Sequence, residues 1–375
     1  MTRVILRIDF DEERYIGHGR IELLELIGQR EAAREHFTNA LQSLAQNAPE
    51  DGLGQARLQR KIATSFVTNR LYAEAVERFE QAEQLLQTAP AETHEWRQEL
   101  LQNYLDRLWM HYMQNQPEIV AAIIEKTRPW LEKYGSPGQT SRFSWGITQN
   151  NFRRNRFRIT AEDIVMRRAD LANCEASGIP HLQVEAYFAL GFVLLWHGDW
   201  DEAEERLQAA IQLAEQIGSI TIHARALAYW LVLNRMRKDV AAVERLLPRA
   251  REVFSAGQML EYVPYIKACE AWLSVRAGNL EVAQQQAQAA LVIWSKAPII
   301  IPFHWIAHWL LLDIALRRQQ ITVALEHAQA MLAPSQQKLP DDLTAALETA
   351  VQGGIESARE PLEEAIRLAS EKGYL

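Results

Sequence analysis

The stretch GFVLLWHGDWDEAEERLQAAIQLAEQIG, from Gly191 to Gly218, decides the fold. It reads as a helix, a tight break at Gly198-Asp199, and a second helix that stops near Gly218. In the second helix Ala203, Leu207, Ala210 and Ala214 recur at spacings of four, three and four, so they share one helical face. Two antiparallel helices joined by a short turn need a small residue where their backbones cross. They need a larger one a turn later to fill the groove.

The same second helix recurs along the chain. NRLYAEAVERFEQAEQLL (69–86) supplies Tyr72, Ala75, Phe79 and Ala82, and DVAAVERLLPRAREVF (239–254) supplies Val240, Val243, Leu247 and Ala250. GNLEVAQQQAQAALVIW (278–294) gives Leu280, Ala283, Ala287 and Ala290, and QQITVALEHAQAML (319–332) gives Ile321, Ala324, Ala328 and Met331. GGIESAREPLEEAIRLA (353–369) gives Ile355, Ala358, Leu362 and Ala365, and GQREAAREHFTNALQSL (28–44) gives Ala33, Phe37 and Ala40. The key small position therefore falls at 33, 75, 203, 243, 283, 324 and 358. Its steps are 42, then 40, 40, 41 and 34 after a gap of 128, which has room for about three further periods. QPEIVAAIIEKTRPWL (116–131) fills one of them through Val120, Ile124 and Thr127, whereas a unit around Ile164 matches poorly. First helices are expected near 53–70, 94–114, 181–197, 220–236, 260–277 and 302–318, all amphipathic, several after a break such as Gly178-Ile179-Pro180.

The unit holding Leu190-Gly191, Leu194, Ala203, Leu207 and Ala210 resembles the tetratricopeptide repeat, including its glycine-to-alanine spacing of twelve. The usual period is about 34 residues, so steps of 40 to 42 are similar to a longer variant found in sensor domains of bacterial maltose-activator-type regulators. The C-terminal stretch PSQQKLPDDLTAALETA and the closing EEAIRLASEKGYL resemble the tails of bacterial cyclase or ATPase regulators that end in such repeats. The resemblance implies an all-α fold, a right-handed superhelical solenoid of antiparallel helix pairs over 29–375, with about eight or nine pairs and an irregular stretch at 130–175. Residues 1–28 are set apart as a capping segment, because Val4, Leu6, Ile8 and Phe10 alternate in a strand-like pattern. The run LRIDFDEERYIGHGRIELLELI within it also resembles the opening of the winged-helix domain of molybdate-responsive repressors.

The 375 residues carry 48% hydrophobic content, enough for a large core, and a formal net charge of −8, which argues against whole-chain attraction to nucleic acid or an anionic membrane. Two cysteines, Cys174 and Cys269, make neither a disulfide framework nor a zinc-type CxxC pair, and they suit a reducing cytoplasm. The N-terminus lacks the long apolar core and cleavage site of a signal peptide. The longest apolar candidate for a span, IPFHWIAHWLLLDIAL (301–316), is broken by Pro302, two histidines and Asp313.

In the tetratricopeptide register, first-helix positions line the inner face. They include Trp109, Tyr112, Glu185, Phe188, Phe192, Trp196, Arg225, Arg235, Tyr265, Trp272, Arg276, Trp309, Asp313 and Arg317, with Arg57 and Arg60 earlier. Aromatics and arginines are the types enriched at interface hot spots; the bland alternative is that many of them fill a wide inter-repeat core. Phe152-Arg153-Arg154-Asn155-Arg156-Phe157-Arg158 is the densest basic run, and Arg153, Arg154, Arg156 and Arg158 interleaved with aromatics are suited to phosphates and stacked bases. A solvated helix face or an acidic protein partner explains the run better in an acidic chain. His304 and His308 have the i, i+4 spacing of a metal pair, but the intervening Trp-Ile-Ala lacks a zincin glutamate, and packing explains them better. No phosphate-binding loop, dinucleotide fingerprint, nucleophile elbow or HExxH is present.

The expectation is therefore a non-catalytic scaffold in bacterial signalling or transcriptional regulation, binding a protein or peptide in a groove, with no cofactor or metal. The alternative is a nucleic-acid-linked regulator using the 152–158 run.

Overall fold

The computed structural model describes residues 30–88, 93–257, 259–297 and 300–375. The expected strand-like cap over 1–28 and the winged-helix resemblance lie outside these residues. The chain divides into two compact units, Met1–Thr140 and Ser141–Leu375.

Unit 1 holds α1 (Arg30–Asn47), α2 (Gly52–Thr68), α3 (Tyr72–Thr88), α4 (His94–Met113) and α5 (Pro117–Tyr134). The division falls in the first turn of α6 (Pro137–Arg154). Unit 2 continues with α7 (Ala161–Ser177), α8 (Pro180–His197), α9 (Trp200–Ile217), α10 (Ile220–Met236), α11 (Val240–Ala256) and α12 (Val263–Arg276). It ends with α13 (Leu280–Ser295), α14 (Trp305–Arg317), α15 (Ile321–Leu332), α16 (Asp341–Ser357) and α17 (Arg359–Glu371). From α2 onward these are successive antiparallel pairs, and α1 carries the register of a second helix.

The second helices bury the small and apolar positions their spacing predicts, with Ile355 of the last unit as an exposed exception. In α9 Ala203, Leu207, Ala210 and Ala214 are buried, with acidic residues on the other side; α3 does the same with Ala75, Phe79 and Ala82, and α13 with Ala283, Ala287 and Ala290. The crossing is tightest at Gly191 of α8, where a Cβ would meet Leu207 Cγ at 2.9 Å and its backbone nitrogen at 3.1 Å. Backbone cannot give way there, so Gly191→Val is expected to destabilise unit 2 by about 1–3 kcal/mol through overpacking. A drop in urea midpoint at unchanged slope would register it.

The turns share one device. Gly198 and Gly278 adopt positive φ, and so do Arg70, Asn115, Lys238 and Gln319 at the equivalent places in other pairs. A left-handed residue followed by the next helix's N-cap reverses the chain in the fewest residues. Glycine is favoured but not required, since the left-handed region is tolerated singly by other residues.

Part of the gap in the sequence ladder is filled by α7, although the turn before it carries two consecutive left-handed residues, Arg156 and Phe157. α7 presents Asp163, Arg167, Asp170 and Cys174, all buried and each 40 residues before Ala203, Leu207, Ala210 and Ala214. The poor match around Ile164 is thus a full repeat whose core positions are polar. Asp163 is fixed by a capping box with Thr160, accepting from its backbone at 3.0 Å and its hydroxyl at 2.8 Å, and from Asn151 Nδ2 at 3.2 Å. Arg167 donates to Asp170 at 3.2 Å and to Ser144, while Ser141 donates to Asp170 at 3.0 Å.

The first helices depart from the expected amphipathicity. In unit 2, α8 touches α10, α10 touches α12 and α12 touches α14, so the first helices form an inner layer. All eleven residues Trp305–Ala315 of α14 are buried, and α8 and α10 are buried on nearly every side. A helix apolar all round belongs in an interior, and here other segments of the same chain cover the inner side.

Candidate functional site

The inner layer of unit 2 surrounds an aromatic nest. Phe188, Phe192 and Trp196 of α8 meet Trp145 of α6 and Tyr229 of α10, with Phe192 and Tyr229 edge-to-face at 4.9 Å. Into its centre comes Phe303, from the segment before α14, stacked on Trp196 at 4.2 Å and 11° and reaching Phe152, Phe192 and Tyr229. Phe188 and Phe192 are therefore buried, Trp196 is half-buried, and Arg225 lies over the Phe188 ring at 4.3 Å. Glu185 stays exposed, 4.0 Å from His181. Tyr265 is buried edge-on against Trp294 at 5.4 Å, and Trp309 is fully buried.

Arg235 also lies in the interior. It donates to the Ala268 carbonyl at 3.4 Å beside the Cys269 thiol, and burial pushes its pKa down to about 10 and that of the thiol up to about 12.

Four of the expected residues converge on one cavity. Trp272, Val275, Arg276, Leu310, Asp313, Arg317, Ser370 and Leu375 line a pocket of about 360 Å³ between α12, α14 and the end of the chain. Asp313, buried, takes Arg317 through both carboxylate oxygens, at 3.0 and 2.8 Å. Arg276 is exposed with its guanidinium over Trp272 at 5.0 Å, and no carboxylate pairs with it among the described residues. Both arginines sit in the last turn of their helices, where the helix dipole favours cations. Only Arg317 has its charge answered locally.

In unit 1, Trp109 is partly exposed and stacks on Tyr112 at 5.4 Å. Arg57 and Arg60 have structural partners one repeat later on α4. Arg60 reaches Asp106 at 2.8 Å and also Glu99, and Arg57 reaches Glu99 at 3.4 Å, with both carboxylates buried. The sequence reading missed Glu99 and Asp106. Their signal was an acidic residue one local repeat step on: Glu99 lies 42 positions after Arg57 and 39 after Arg60, and Asp106 lies 46 after Arg60.

In the basic run the phenylalanines are buried, Arg153, Arg156 and Arg158 are half-buried, and Arg154 is exposed. Phe152 and Phe157 are buried against each other at 5.5 Å. Arg156 donates to the Leu332 and Ala333 carbonyls at 3.2 and 3.4 Å, and Arg158 to Lys338 O at 3.2 Å, to Leu339 O, and to Asp341 at 3.1 Å. Lys338 N donates to Arg156 O, and Gln337 Nε2 to Phe157 O, both at 2.9 Å. The α6–α7 turn is thus clasped to the segment between α15 and α16, and unit 2 closes on itself. Arg153 and Arg154 end α6.

His304 and His308 have a companion that spacing could not show. His308 Nδ1 lies 3.1 Å from His327 Nδ1 of α15, and His304 stacks on Trp294 at 5.0 Å. Burial drives His304 down to about 4 and, with the neighbouring imidazoles, His308 down to about 3, so both are neutral at pH 7. Among the described residues no group of three or more His, Cys, Asp or Glu side chains could hold a metal, and no helix is long and apolar enough to cross a membrane.

No protein-family model matches the sequence, and no curated protein matches it. Solved structures do. The apo form of RapI aligns over 95% of this chain and 96% of its own, with a TM-score of 0.59 and 12% identity. Aspartyl phosphate phosphatase F from Bacillus subtilis aligns over 89% and 88%, with a TM-score of 0.57 and 11% identity. At such identities the likeness speaks to fold alone. With the paired helices and their recurrent small-residue crossings, it shows that this chain has the fold of a tetratricopeptide-like helical-repeat solenoid.

Proposed function

We propose that the chain is a non-catalytic helical-repeat scaffold that binds a protein or peptide segment, with the α12–α14 pocket of unit 2 as its anchoring point. The observation that carries this reading is Arg276, a cation held over Trp272 at the rim of a pocket whose other arginine is already paired. A partner carboxylate there gains a charge-assisted hydrogen bond and an aromatic floor, the combination that concentrates binding energy at few residues. The fold shared with RapI and aspartyl phosphate phosphatase F accords with a protein-binding scaffold, and at 12% and 11% identity it carries no phosphatase activity to this chain. A reducing cytoplasm accords with the two unpaired buried thiols, Cys174 and Cys269.

Affinity capture from a lysate of the source cells, with mass spectrometry, tests the reading. One stoichiometric protein is expected with the wild type, and its affinity is expected to fall at least about tenfold with Arg276→Glu, roughly 1.4 kcal/mol. Salt-sensitive recovery of nucleic acid, lost on neutralising Arg153 and Arg154, would overturn it.

A further inference from the structure

The outer sides of α13 and α15 differ from those of their neighbours. Both helices pack against α14 and turn their other sides to solvent. Away from the buried Ala283, Ala287, Ala290 and Trp294, α13 presents Val282, Gln285, Gln288 and Val292, all exposed, the valines by 46% and 53%. One step of 41 later, α15 presents Val323, Glu326, Gln329 and Ala333. The same outward positions hold Glu202 and Glu205 in α9, Arg245 and Glu252 in α11, and Glu360 and Glu363 in α17. In a chain of net charge −8, like charges therefore repel a second copy at α9 or α17 more than at α13 and α15.

The order of residues along α13 points to what covers this face. From its first turn to its C-cap the exposed stripe runs Glu281, Val282, Gln285, Gln288, Val292 and Lys296: acid, apolar, amide, amide, apolar, base. Reversed, with acid exchanged for base, the order is the same. A two-fold axis crossing α13 beside Ala287 lays a second copy antiparallel on it. Glu281 then meets Lys296 of the second copy, Val282 meets Val292, and Gln285 meets Gln288, whose amides can donate and accept in both directions. Neither Glu281 nor Lys296 has an ion-pair partner among the described residues. Continued across α15, the same axis sets Glu326 against Gln329 of the second copy, a carboxylate facing an amide donor rather than another carboxylate. A two-fold contact needs a patch that is its own complement, and an unrelated protein has no reason to match this mirrored order.

We propose that the outer faces of α13 and α15 join two copies of this chain in an antiparallel, two-fold dimer. The two helices, of 16 and 12 residues, are about 24 and 18 Å long and about 10 Å wide, so the contact buries on the order of 1,000 Å² over both copies. That is the small end of specific interfaces, and the dimer is a weak, concentration-dependent one. No residue lining the α12–α14 pocket lies on either helix, so the dimer stands or falls apart from the scaffold reading.

Sedimentation velocity of the full-length chain supplies the test, from about 1 to about 200 µM, a range suited to an interface of this size. The wild type is expected to pass from one chain mass to two across it. Val282→Glu with Val292→Glu sets carboxylates opposite one another and is expected to weaken association at least about tenfold. Val282→Lys with Val292→Glu sets a cation opposite a carboxylate and is expected to restore association to within about threefold of the wild type. The two variants differ at one exposed position, Glu and Lys are better helix formers than Val, and circular dichroism checks that both keep wild-type helicity. A wild type that stays at one chain mass throughout overturns the proposal. So does equal dissociation of both variants, or a dimer that neither disturbs, because only the antiparallel register sets position 282 against position 292.

Discussion

Lowering the pH from 7 to 5 is expected to remove about 4 kcal/mol of stability from unit 2, about 2 kcal/mol for each of His304 and His308. In the folded chain the two imidazoles are held down to about 4 and about 3 by burial. In the unfolded chain they titrate near 6.5. Between these values the unfolded state binds more protons, so stability rises with pH across that window and falls as acid is added. The loss begins below about pH 6.5 and saturates only below about pH 3 to 4. His327, Nδ1-to-Nδ1 with His308 and itself lowered by burial, adds in the same direction. Urea unfolding at the two pH values measures the effect, and His304→Gln with His308→Gln should flatten the dependence. A wild-type midpoint that does not move between pH 7 and 5 would contradict the buried-neutral assignment.

The second large effect concerns the polar core of α7. Asp170→Ala is expected to cost about 3–5 kcal/mol, because it leaves the Arg167 guanidinium, 1% exposed, without its carboxylate. The double substitution Arg167→Leu with Asp170→Ala is expected to recover most of that loss. It installs at 167 and 170 the residues that α9 carries at 207 and 210, and apolar replacement of a buried ion pair is often neutral or stabilising. The ionisation behaviour agrees: burial lowers Arg167 and raises Asp170, each outweighing the attraction between them. A double-mutant cycle by chemical denaturation reads both values. A double variant as unstable as Asp170→Ala would show that Ser141 and Ser144, rather than apolar packing, set the energy of this repeat.

These two sites also mark where the sequence was hard to read. Periodicity is legible only when the repeat's buried face is apolar. α9 and α13 announce themselves through alanines and leucine, whereas α7 keeps the same 4-3-4 spacing with Asp163, Arg167, Asp170 and Cys174. α14 hid its role differently: burial on every side leaves no polar face from which to pick inward from outward residues. Trp272, Arg276, Asp313 and Arg317, four of the expected inner-face residues, line one pocket, yet the register could not foresee that Phe303 would enter the nest around Phe192, or that Arg156 and Arg158 would be spent on carbonyls some 180 residues away.

That last clasp changes how unit 2 should fold. An open array of repeats can nucleate anywhere and fray from either end, its stability being close to a sum over neighbours. Here Arg158 joins Asp341 across 183 positions, and Gln337 joins Phe157 across 180. Loop closure on that scale must precede the reward, so the final docking step is slow relative to helix pairing. Once made, it leaves no free terminal repeat from which melting can start. Unit 2 should therefore unfold in a single cooperative event, with amide exchange in α7 and α16 protected to the same degree as in the central α10.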